Sequence, residues 1–378
     1  MNNKMKIPIT KPFFDQSEQK ACFESIKNRW VSQGPKVEQF EKEVSGYAGA
    51  KYGIATTSCT TSLHVALLAM GIKPGDEVIV PSYSFIATAN SVLYAGAKPV
   101  FAEINEKSYN IEPEKVEEKI TEKTRMILPV HQVGLPAEMD KINDIAGKNN
   151  LLVLEDAACA IGSEYKGRKI GSINTTCFSF HPRKLITTGE GGMIVTDDKE
   201  VEELSRILRS HGASVSDLQR HKSDKVIFEE YPYLGYNYRM TDIQASIGIE
   251  QLKKLDLILK KRKELAVRYD DLLGSLSSVV TPFVPDSCRH TFQSYIARLD
   301  NASVSRDKLM QKLLEKGIAT RRGIMAIHKE PYYVKRFGKI SLPVTEEAAD
   351  STIVLPLFPE MTEEQQDYVV SNLKEALG

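Results

Sequence analysis

The chain has 378 residues, of which 42% are hydrophobic and 26% are charged, and its 50 basic side chains balance its 50 acidic ones. These proportions are typical of a soluble globular protein, and the charge balance provides no basic excess that would indicate nucleic-acid binding. A chain of this length usually exceeds one hydrophobic core, so we expect two domains.

The five cysteines are odd in number and form no C-x-x-C pair, so they indicate neither a disulfide framework nor a zinc site, and we expect no metal. The N-terminus lacks the apolar core of a signal peptide. No apolar run approaches the ~20 residues that span a bilayer. We therefore expect a cytoplasmic protein with no membrane partner.

Helical and strand patterns alternate through the first two thirds of the chain. Stretches with apolar residues at helical spacing are interleaved with short apolar runs that turn residues precede. This order predicts α/β layering around a mostly parallel sheet, in which ligands lie beyond the carboxyl ends of the strands. The predicted helices are 60–70 and 137–148, and the predicted strands are 77–81, 98–101, 125–130, 151–155, 176–180 and 193–196.

The last third of the chain mixes helices and strands less regularly, which predicts a smaller α+β domain. A long helical pattern, broken near Leu255, is expected to bridge the two parts. The predicted large domain is 13–245 and the small domain is 246–378, with 1–12 packing near the small domain. The predicted elements of this part are helices 242–273, 305–316 and 362–377 and a strand at 293–299.

The segment 178–193 puts a single lysine, Lys184, between an apolar strand and a glycine-rich turn. A lysine that is desolvated there can be partly neutral and can form a Schiff base. The usual reason for a protein to build such a site is pyridoxal phosphate, with an acidic partner for its ring nitrogen. The alternative is a solvated surface lysine, which is the fate of most lysines.

An acidic partner is available upstream, where the apolar run 151–156 ends in two carboxylates, Glu155 and Asp156. A carboxylate at Asp156 can keep a pyridine nitrogen protonated, and that charge lets the ring act as an electron sink. The alternative is a helix cap or turn former, which is a common use of aspartate after a strand.

A run of small hydroxyl residues over 56–62 opens the helix predicted at 60–70. Free backbone N–H groups and the helix dipole favour a phosphate at such an end, and the hydroxyls of Thr60 and Ser179 can add donors. Ordinary helix capping is the alternative, and the two roles do not exclude each other.

Three further segments contain candidates for ligand contacts. Phe85 follows a strand and can stack on a cofactor ring for ~1 kcal/mol, or pack in a core. Asn237 can reach a phosphate or act as a turn residue. Arg321 and its neighbour Arg322, with His328 nearby, can bind a diphosphate or a carboxylate, although paired arginines are more often surface residues.

Taken together, these motifs resemble the DegT/StrS family of sugar-nucleotide aminotransferases, within the fold-type I pyridoxal phosphate enzymes. They occur in family order and at family spacing over nearly the whole chain. The matching segments are 30–35, 71–79, 87–90, 94–101, 155–158, 165–168, 178–193 and 236–244.

The resemblance implies a role for each motif residue. Lys184 would carry the cofactor as a Schiff base and move the proton, and Asp156 would pair with the pyridine nitrogen. Phe85 would cover one ring face. The residue matching Asn237 reaches the phosphate from the neighbouring subunit in family members, which implies a homodimer with shared active sites. The implied phosphate contacts are Thr60, Thr61 and Ser179.

Two departures from the family pattern concern cofactor contacts. Cys159 stands where the family often has a glutamine near the cofactor's ring hydroxyl. Cys59 and Thr61 stand where glycine and alanine are common. Relatives that act as dehydratases replace the lysine by histidine, whereas this chain keeps Lys184, which favours transamination.

The reaction that the resemblance implies is a ping-pong transfer from an amino acid, with glutamate as the first candidate, to a keto sugar carried on a nucleotide. The nucleotide (dTDP, UDP or GDP) and the keto position (C3 or C4 of a 6-deoxysugar) stay open. A sugar dehydratase, a cyclitol aminotransferase and a non-catalytic regulator of the same fold are the alternatives. The candidate substrate contacts are His181, Glu190, Arg220, Arg321 and His328.

Overall fold

The computed structural model describes residues 5–215 and 224–378, and a seven-stranded sheet forms the centre of its larger part. The strand order is β1-β9-β8-β5-β4-β2-β3. Strand β9 runs antiparallel to both of its neighbours, and the other pairs in this sheet are parallel. The strands are β1 (Tyr52–Thr56), β2 (Glu77–Pro81), β3 (Lys98–Ala102), β4 (Thr124–Ile127), β5 (Leu152–Asp156), β8 (Thr175–Ser179) and β9 (Gly192–Thr196).

Helices cover both faces of this sheet, so its central strands are buried on both sides. Alternate residues of β2 enter opposite cores. Ile79 packs in a core that contains Phe40 and Phe178. Val78 and Val80 pack in a core on the other face. This two-residue period explains why the predicted strands read as continuous apolar runs.

The described helices are distributed along the whole chain. They are α1 (Gln16–Lys27), α2 (Pro35–Ala48), α3 (Cys59–Ala69), α4 (Ala87–Tyr94), α5 (Pro113–Glu117), α6 (Met139–Lys148), α7 (Lys199–Leu208), α8 (Asp242–Lys253), α9 (Leu255–Leu273), α10 (Arg306–Glu315), α11 (Pro331–Phe337), α12 (Pro343–Ser351) and α13 (Glu363–Leu377). None of them is both long and apolar enough to cross a bilayer.

Two smaller sheets complete the described part of the chain. The four-stranded sheet has the order β10-β12-β14-β13, and the three-stranded sheet has the order β11-β6-β7. Their strands are β6 (Glu164–Tyr165), β7 (Arg168–Lys169), β10 (Val279–Val280), β11 (Cys288–Arg289), β12 (Tyr295–Leu299), β13 (Arg321–Arg322) and β14 (Thr352–Leu355).

The long helical pattern of the last third breaks where the sequence indicated, because α8 ends at Lys253 and α9 begins at Leu255. Helix α9 connects two cores: Leu259 packs with the core of the large sheet, and Tyr269 packs under the four-stranded sheet. Ile7 joins this second core, and its N–H donates to Gly317 O at 2.9 Å. The domain boundary between 245 and 246 stays a prediction.

A buried carboxylate on α2 connects three elements of the large part. Glu41 forms ion pairs with Arg209 and, at 2.7 Å, with Arg206, and it accepts the Ala55 N–H at 2.9 Å. Burial favours the neutral acid, but the two guanidinium groups outweigh it and lower the pKa of Glu41. Its stabilising effect is therefore present at neutral pH and is lost as the pH falls through this lowered pKa.

Replacing Glu41 by glutamine should lower the free energy of unfolding by about 3–5 kcal/mol, because Arg209 is left buried without a counterion. Urea denaturation followed by circular dichroism would measure the loss. Glu118→Gln is the matched control, since Glu118 pairs with Lys115 on the surface and such pairs contribute at most about 1 kcal/mol. Equal losses in the two variants would contradict the role assigned to Glu41.

Candidate active site

A cavity of about 630 Å³ lies at the carboxyl ends of β5 and β8, between the large sheet and the four-stranded sheet. Its size is within the range of small-molecule sites. Lys184 and Asp156, which are far apart in the sequence, both line it. The N-terminal segment also reaches it through Ile9 and Thr10. The site is therefore built from both parts of the chain.

Lys184 lies in a turn after β8, in which its N–H donates to His181 O at 2.8 Å. Its Nζ donates to Cys159 Sγ at 3.1 Å. Burial works against the charged ammonium, but the adjacent Cys159 and, more weakly, Asp156 outweigh burial and raise the pKa of Lys184. The surroundings of Lys184 in the protein without a ligand therefore favour the charged ammonium, in contrast to the expectation of a partly neutral lysine.

The raised pKa of Lys184 predicts a pH dependence of cofactor loading. An amine must lose its proton before it can attack an aldehyde, so the apparent affinity for pyridoxal phosphate should rise with pH above neutrality. Titration of the cofactor-free protein at several pH values, followed by absorbance, would measure this. Cys159→Ser should shift the curve to lower pH, because it removes the sulfur that stabilises the ammonium. A loading curve independent of pH would contradict the assignment.

Asp156 ends β5 and is 4% exposed. Its Oδ2 accepts the Thr88 hydroxyl at 2.7 Å, and its Oδ1 accepts the Ala158 N–H at 3.1 Å. Burial raises the pKa of Asp156, and the hydrogen bonds from Thr88 and Ala158 offset only part of this effect. No basic side chain of the described ranges forms an ion pair with it. A protonated ring nitrogen would supply the missing counter-charge, so the residue fits the predicted cofactor.

Helix α3 begins at Cys59 with its N-terminus on the cavity, and Ser58, Cys59 and Thr60 line the wall there. The Thr61 side chain points back into the helix cap, since its Oγ1 accepts the Ser58 N–H at 3.0 Å and donates to Ser58 O at 2.8 Å. Thr61 is therefore a capping residue in this structure and is not part of the cavity wall.

Gly192 allows β9 to approach the start of α3. A Cβ atom at this position would lie 2.4 Å from the carbonyl group of Ser58 and 2.6 Å from the Cys59 nitrogen. Any larger residue would push away the helix end that faces the cavity. This close approach explains why the glycine-rich turn after Lys184 ends in a glycine, although the turn alone matches no phosphate-binding motif.

Two of the other predicted cofactor contacts line the cavity. Ser179 is buried at the end of β8, whereas the Phe85 side chain is 59% exposed. An exposed aromatic ring on a cavity wall is available for stacking on a ligand. Asn237 is exposed and lies outside the cavity wall. Within one chain, it contacts Ser210 through an isolated β-bridge.

The candidate substrate residues divide into three groups. His181, Glu190 and Arg321 line the cavity, and His181 Nε2 lies 3.9 Å from Glu190 Oε1. His328 is 1% exposed and lies outside the cavity wall. Its Nδ1 is 2.7 Å from Ser82 Oγ and its Nε2 is 3.3 Å from Glu346 Oε1. We therefore correct its expected substrate contact to a packing role. Arg220 lies outside the described residues.

The structure also brings residues to the site that the sequence did not single out. Thr88 contacts Asp156 from α4, and no sequence signal connects positions so far apart. Gln132 lines the cavity and donates to Tyr83 O. It comes two residues after the predicted strand 125–130, and this position near the end of a strand was an available signal. Arg183 precedes Lys184 and also lines the cavity.

The model of the DegT/DnrJ/EryC1/StrS aminotransferase family matches residues 12–374. The chain belongs to this family. The spore coat polysaccharide biosynthesis protein SpsC of Bacillus subtilis is 40% identical over 375 residues, which cover 98% of this chain and 96% of that protein.

Solved structures of sugar aminotransferases superpose on nearly the whole of this aminotransferase. Helicobacter pylori PseC, an aminotransferase involved in pseudoaminic acid biosynthesis, has a TM-score of 0.91 at 27% identity, with 99% of each chain covered. The pyridoxal phosphate form of the putative sugar aminotransferase Spr1654 from Streptococcus pneumoniae also has a TM-score of 0.91, at 27% identity and 98% coverage of both chains. The predictions of family, fold-type I architecture and pyridoxal phosphate dependence are confirmed.

Proposed function

We propose that this aminotransferase moves an amino group from an amino acid, with glutamate as the first candidate, to a keto sugar linked to a nucleotide. The observation that carries this proposal is one cavity that holds Lys184, Asp156 and the N-terminus of α3 and extends to Arg321. Arg321 lies on the cavity wall in addition to the residues expected to hold the cofactor, and its guanidinium group can bind an anionic substrate group such as a diphosphate. SpsC and PseC, whose names refer to polysaccharide and sugar-acid biosynthesis, support the sugar class.

When bound, pyridoxal phosphate supplies an electron sink for the substrate carbon. Lys184 Nζ would carry a proton to and from the reacting carbon, since it is the one amine among the described residues of the cavity wall. Asp156 would hold the proton on the ring nitrogen. Backbone N–H groups at the start of α3, with Thr60 and Ser179, would hold the phosphate. Phe85 would cover one face of the ring and exclude water.

A panel of nucleotide-linked keto sugars with ¹⁵N-labelled glutamate tests the proposed reaction. Mass spectrometry should detect transfer of the label to a dTDP-, UDP- or GDP-linked sugar, with the C3 or C4 position assigned by NMR. Lys184→Ala protein is the control. Label transfer to a free cyclitol alone, or loss of a hydroxyl without gain of nitrogen, would favour the cyclitol or dehydratase alternatives.

We further infer a homodimer in which Asn237 of each subunit completes the phosphate site of the other. The segment before Asn237 supports a partner surface, because its large apolar side chains are strongly exposed in one chain: Val226 by 83%, Phe228 by 87% and Leu234 by 86%. A cytoplasmic setting is supported by the five cysteines, all of which are free.

Mixing two inactive variants tests the shared site. In a dimer of Lys184→Ala and Asn237→Ala subunits, one site combines Lys184 of one subunit with Asn237 of its partner. Activity should therefore return on mixing after subunit exchange, although each parent is impaired. No recovery despite proven heterodimers would contradict the shared site, and a monomer in analytical ultracentrifugation would contradict the dimer.

A further inference from the structure

We propose that Arg183 and Arg321 form one anion-binding subsite that serves both half-reactions. It would take a carboxylate of the amino donor in the first half-reaction and the diphosphate of the nucleotide sugar in the second. This inference rests on the proposed function. It adds Arg183 to the candidate substrate residues, and it assigns the binding of both substrates to the same pair of arginines.

Both arginines face the same cavity from opposite parts of the structure. Arg183 is half-buried and lies directly before Lys184. Arg321 belongs to β13, in which it pairs with Val354 of β14. Burial and then the positive charge of Arg321 lower the pKa of Arg183, so the two guanidinium groups interact electrostatically. The wall of the cavity that contains Lys184 thus carries two positive charges from different parts of the chain.

Neither guanidinium has a counterion in the parts of the chain that the structure describes, where no carboxylate lies within 4.0 Å of Arg183 or Arg321. The next residue is different: Arg322 Nη2 lies 3.4 Å from Glu330 Oε1. The carboxylate of Glu190 also lines the cavity but lies near His181. Two like charges at one wall repel each other, and a bound anion would convert this repulsion into attraction.

The backbone that carries these side chains is held in place. Arg183 O accepts the Gln293 side-chain amide at 2.6 Å, and its N–H donates to His181 Nδ1 at 3.2 Å. Arg321 is fixed by the β13–β14 pairing. Because the positions are set before a ligand arrives, less binding energy is lost to ordering the site.

A ping-pong reaction explains why one cationic pair would serve two substrates. Both substrates must present their reacting carbon to Lys184 in the same cavity. Glutamate carries a carboxylate three bonds beyond its reacting carbon, and a nucleotide-linked 3- or 4-keto sugar carries its first phosphorus four or five bonds away. Planar guanidinium groups bind carboxylate and phosphate oxygens equally well through paired hydrogen bonds.

Two probes that do not react test the subsite in the protein loaded with cofactor: glutarate, which has no amino group, and inorganic diphosphate. Isothermal titration calorimetry should show that both bind and that each displaces the other. Arg183→Gln and Arg321→Gln should each weaken both probes about tenfold, and Arg183→Lys should lose less than Arg183→Gln because it keeps the charge. Arg336→Gln, an exposed arginine of α11 outside the cavity, is the control.

The outcomes separate the two proposals. Unchanged affinity in both glutamine variants would overturn the subsite, and so would loss of affinity for only one of the two probes. These measurements require no nucleotide sugar. If both probes bind and compete but no keto sugar is aminated, the anion subsite stands and the proposed substrate class falls.

Discussion

Replacing Lys184 by alanine is expected to lower kcat by about 10²–10⁴-fold, the range that a positioned proton carrier contributes. Lys184 is the one lysine on the cavity wall among the described residues, and its Nζ lies 3.1 Å from Cys159 Sγ. No other described cavity residue offers an amine that can attack the cofactor aldehyde. The variant should therefore also lose the visible absorbance band of the bound cofactor, while its far-UV circular dichroism stays unchanged.

Two control variants test whether the loss of activity depends on the amine of Lys184. One keeps the positive charge at this position, and the other removes a lysine from the surface. Lys184→Arg keeps a positive charge beside Cys159 but supplies no group that loses its proton near neutral pH, so it should be as inactive as the alanine variant. Lys166→Ala removes an exposed lysine that pairs with Asp140 and should have wild-type activity. Borohydride reduction followed by peptide mapping should find the cofactor on the peptide that contains residue 184. A tag on another peptide would contradict the proposed role.

The second large effect is expected at Asp156, where asparagine should impair catalysis and stabilise the cofactor-free protein. Removing the charge leaves the ring nitrogen without its negative partner, and kcat should fall by about 10²-fold or more, as for the loss of other preorganised electrostatic groups. Burial raises the pKa of Asp156, so its ionised form costs stability, and this cost appears as the pH rises through the raised pKa. Asparagine carries no charge and escapes this cost.

The surroundings of Asp156 can accept an asparagine without loss of hydrogen bonds. The amide oxygen can accept the Ala158 N–H as Oδ1 does now. The amide nitrogen can donate to Thr88 Oγ1, which can then donate to Ser84 Oγ at 2.7 Å. Thermal unfolding of the cofactor-free proteins should thus show an equal or higher midpoint for Asp156→Asn at pH 8, with no gain at pH 4.

The unfolding midpoint and kcat of the Asp156→Asn variant together test the proposed role of Asp156. Asp140→Asn is the matched control, because Asp140 lies on the surface with Lys166 and Arg168 and should change neither kcat nor the midpoint by much. A variant at Asp156 that keeps wild-type kcat would contradict the proposed pairing. A large loss of stability at pH 8 would contradict the unfavourable burial of its charge.

Local sequence patterns predicted most of the large sheet. The strands from Glu77 to Thr196 were found because a strand covered on both faces must be apolar throughout, whichever strands it pairs with. The strand of this sheet that was missed is β1 (Tyr52–Thr56), an edge strand whose neighbour in the sheet is β9. Its short sequence has no long apolar run, and its pairing partner lies far along the chain. Such pairings cannot be inferred from residues close in sequence.

The residues of the candidate site were likewise predictable from the sequence only where local patterns indicated them. Lys184 and Asp156 were identified because each lies at or shortly after the end of an apolar strand, and parallel strands bring their carboxyl ends to one edge. The roles of Thr88 and Arg183 depend on residues that lie close to them only in the folded protein. His328 was misjudged, because a histidine near two arginines looks like a ligand contact until Ser82 and Glu346 are seen to engage its ring.

By itself, the sequence determined the alternation of helices and strands around the large sheet, and it identified Lys184 and Asp156 as the candidate catalytic residues. These features depend on hydrophobic periodicity and on residue type, which are local properties of the chain. The tertiary structure decided the surroundings of Lys184, the helix-capping role of Thr61 and the absence, among the described residues, of a counterion for Arg183 and Arg321. These properties depend on burial and on the distances between charges, which are set only when distant segments fold against each other.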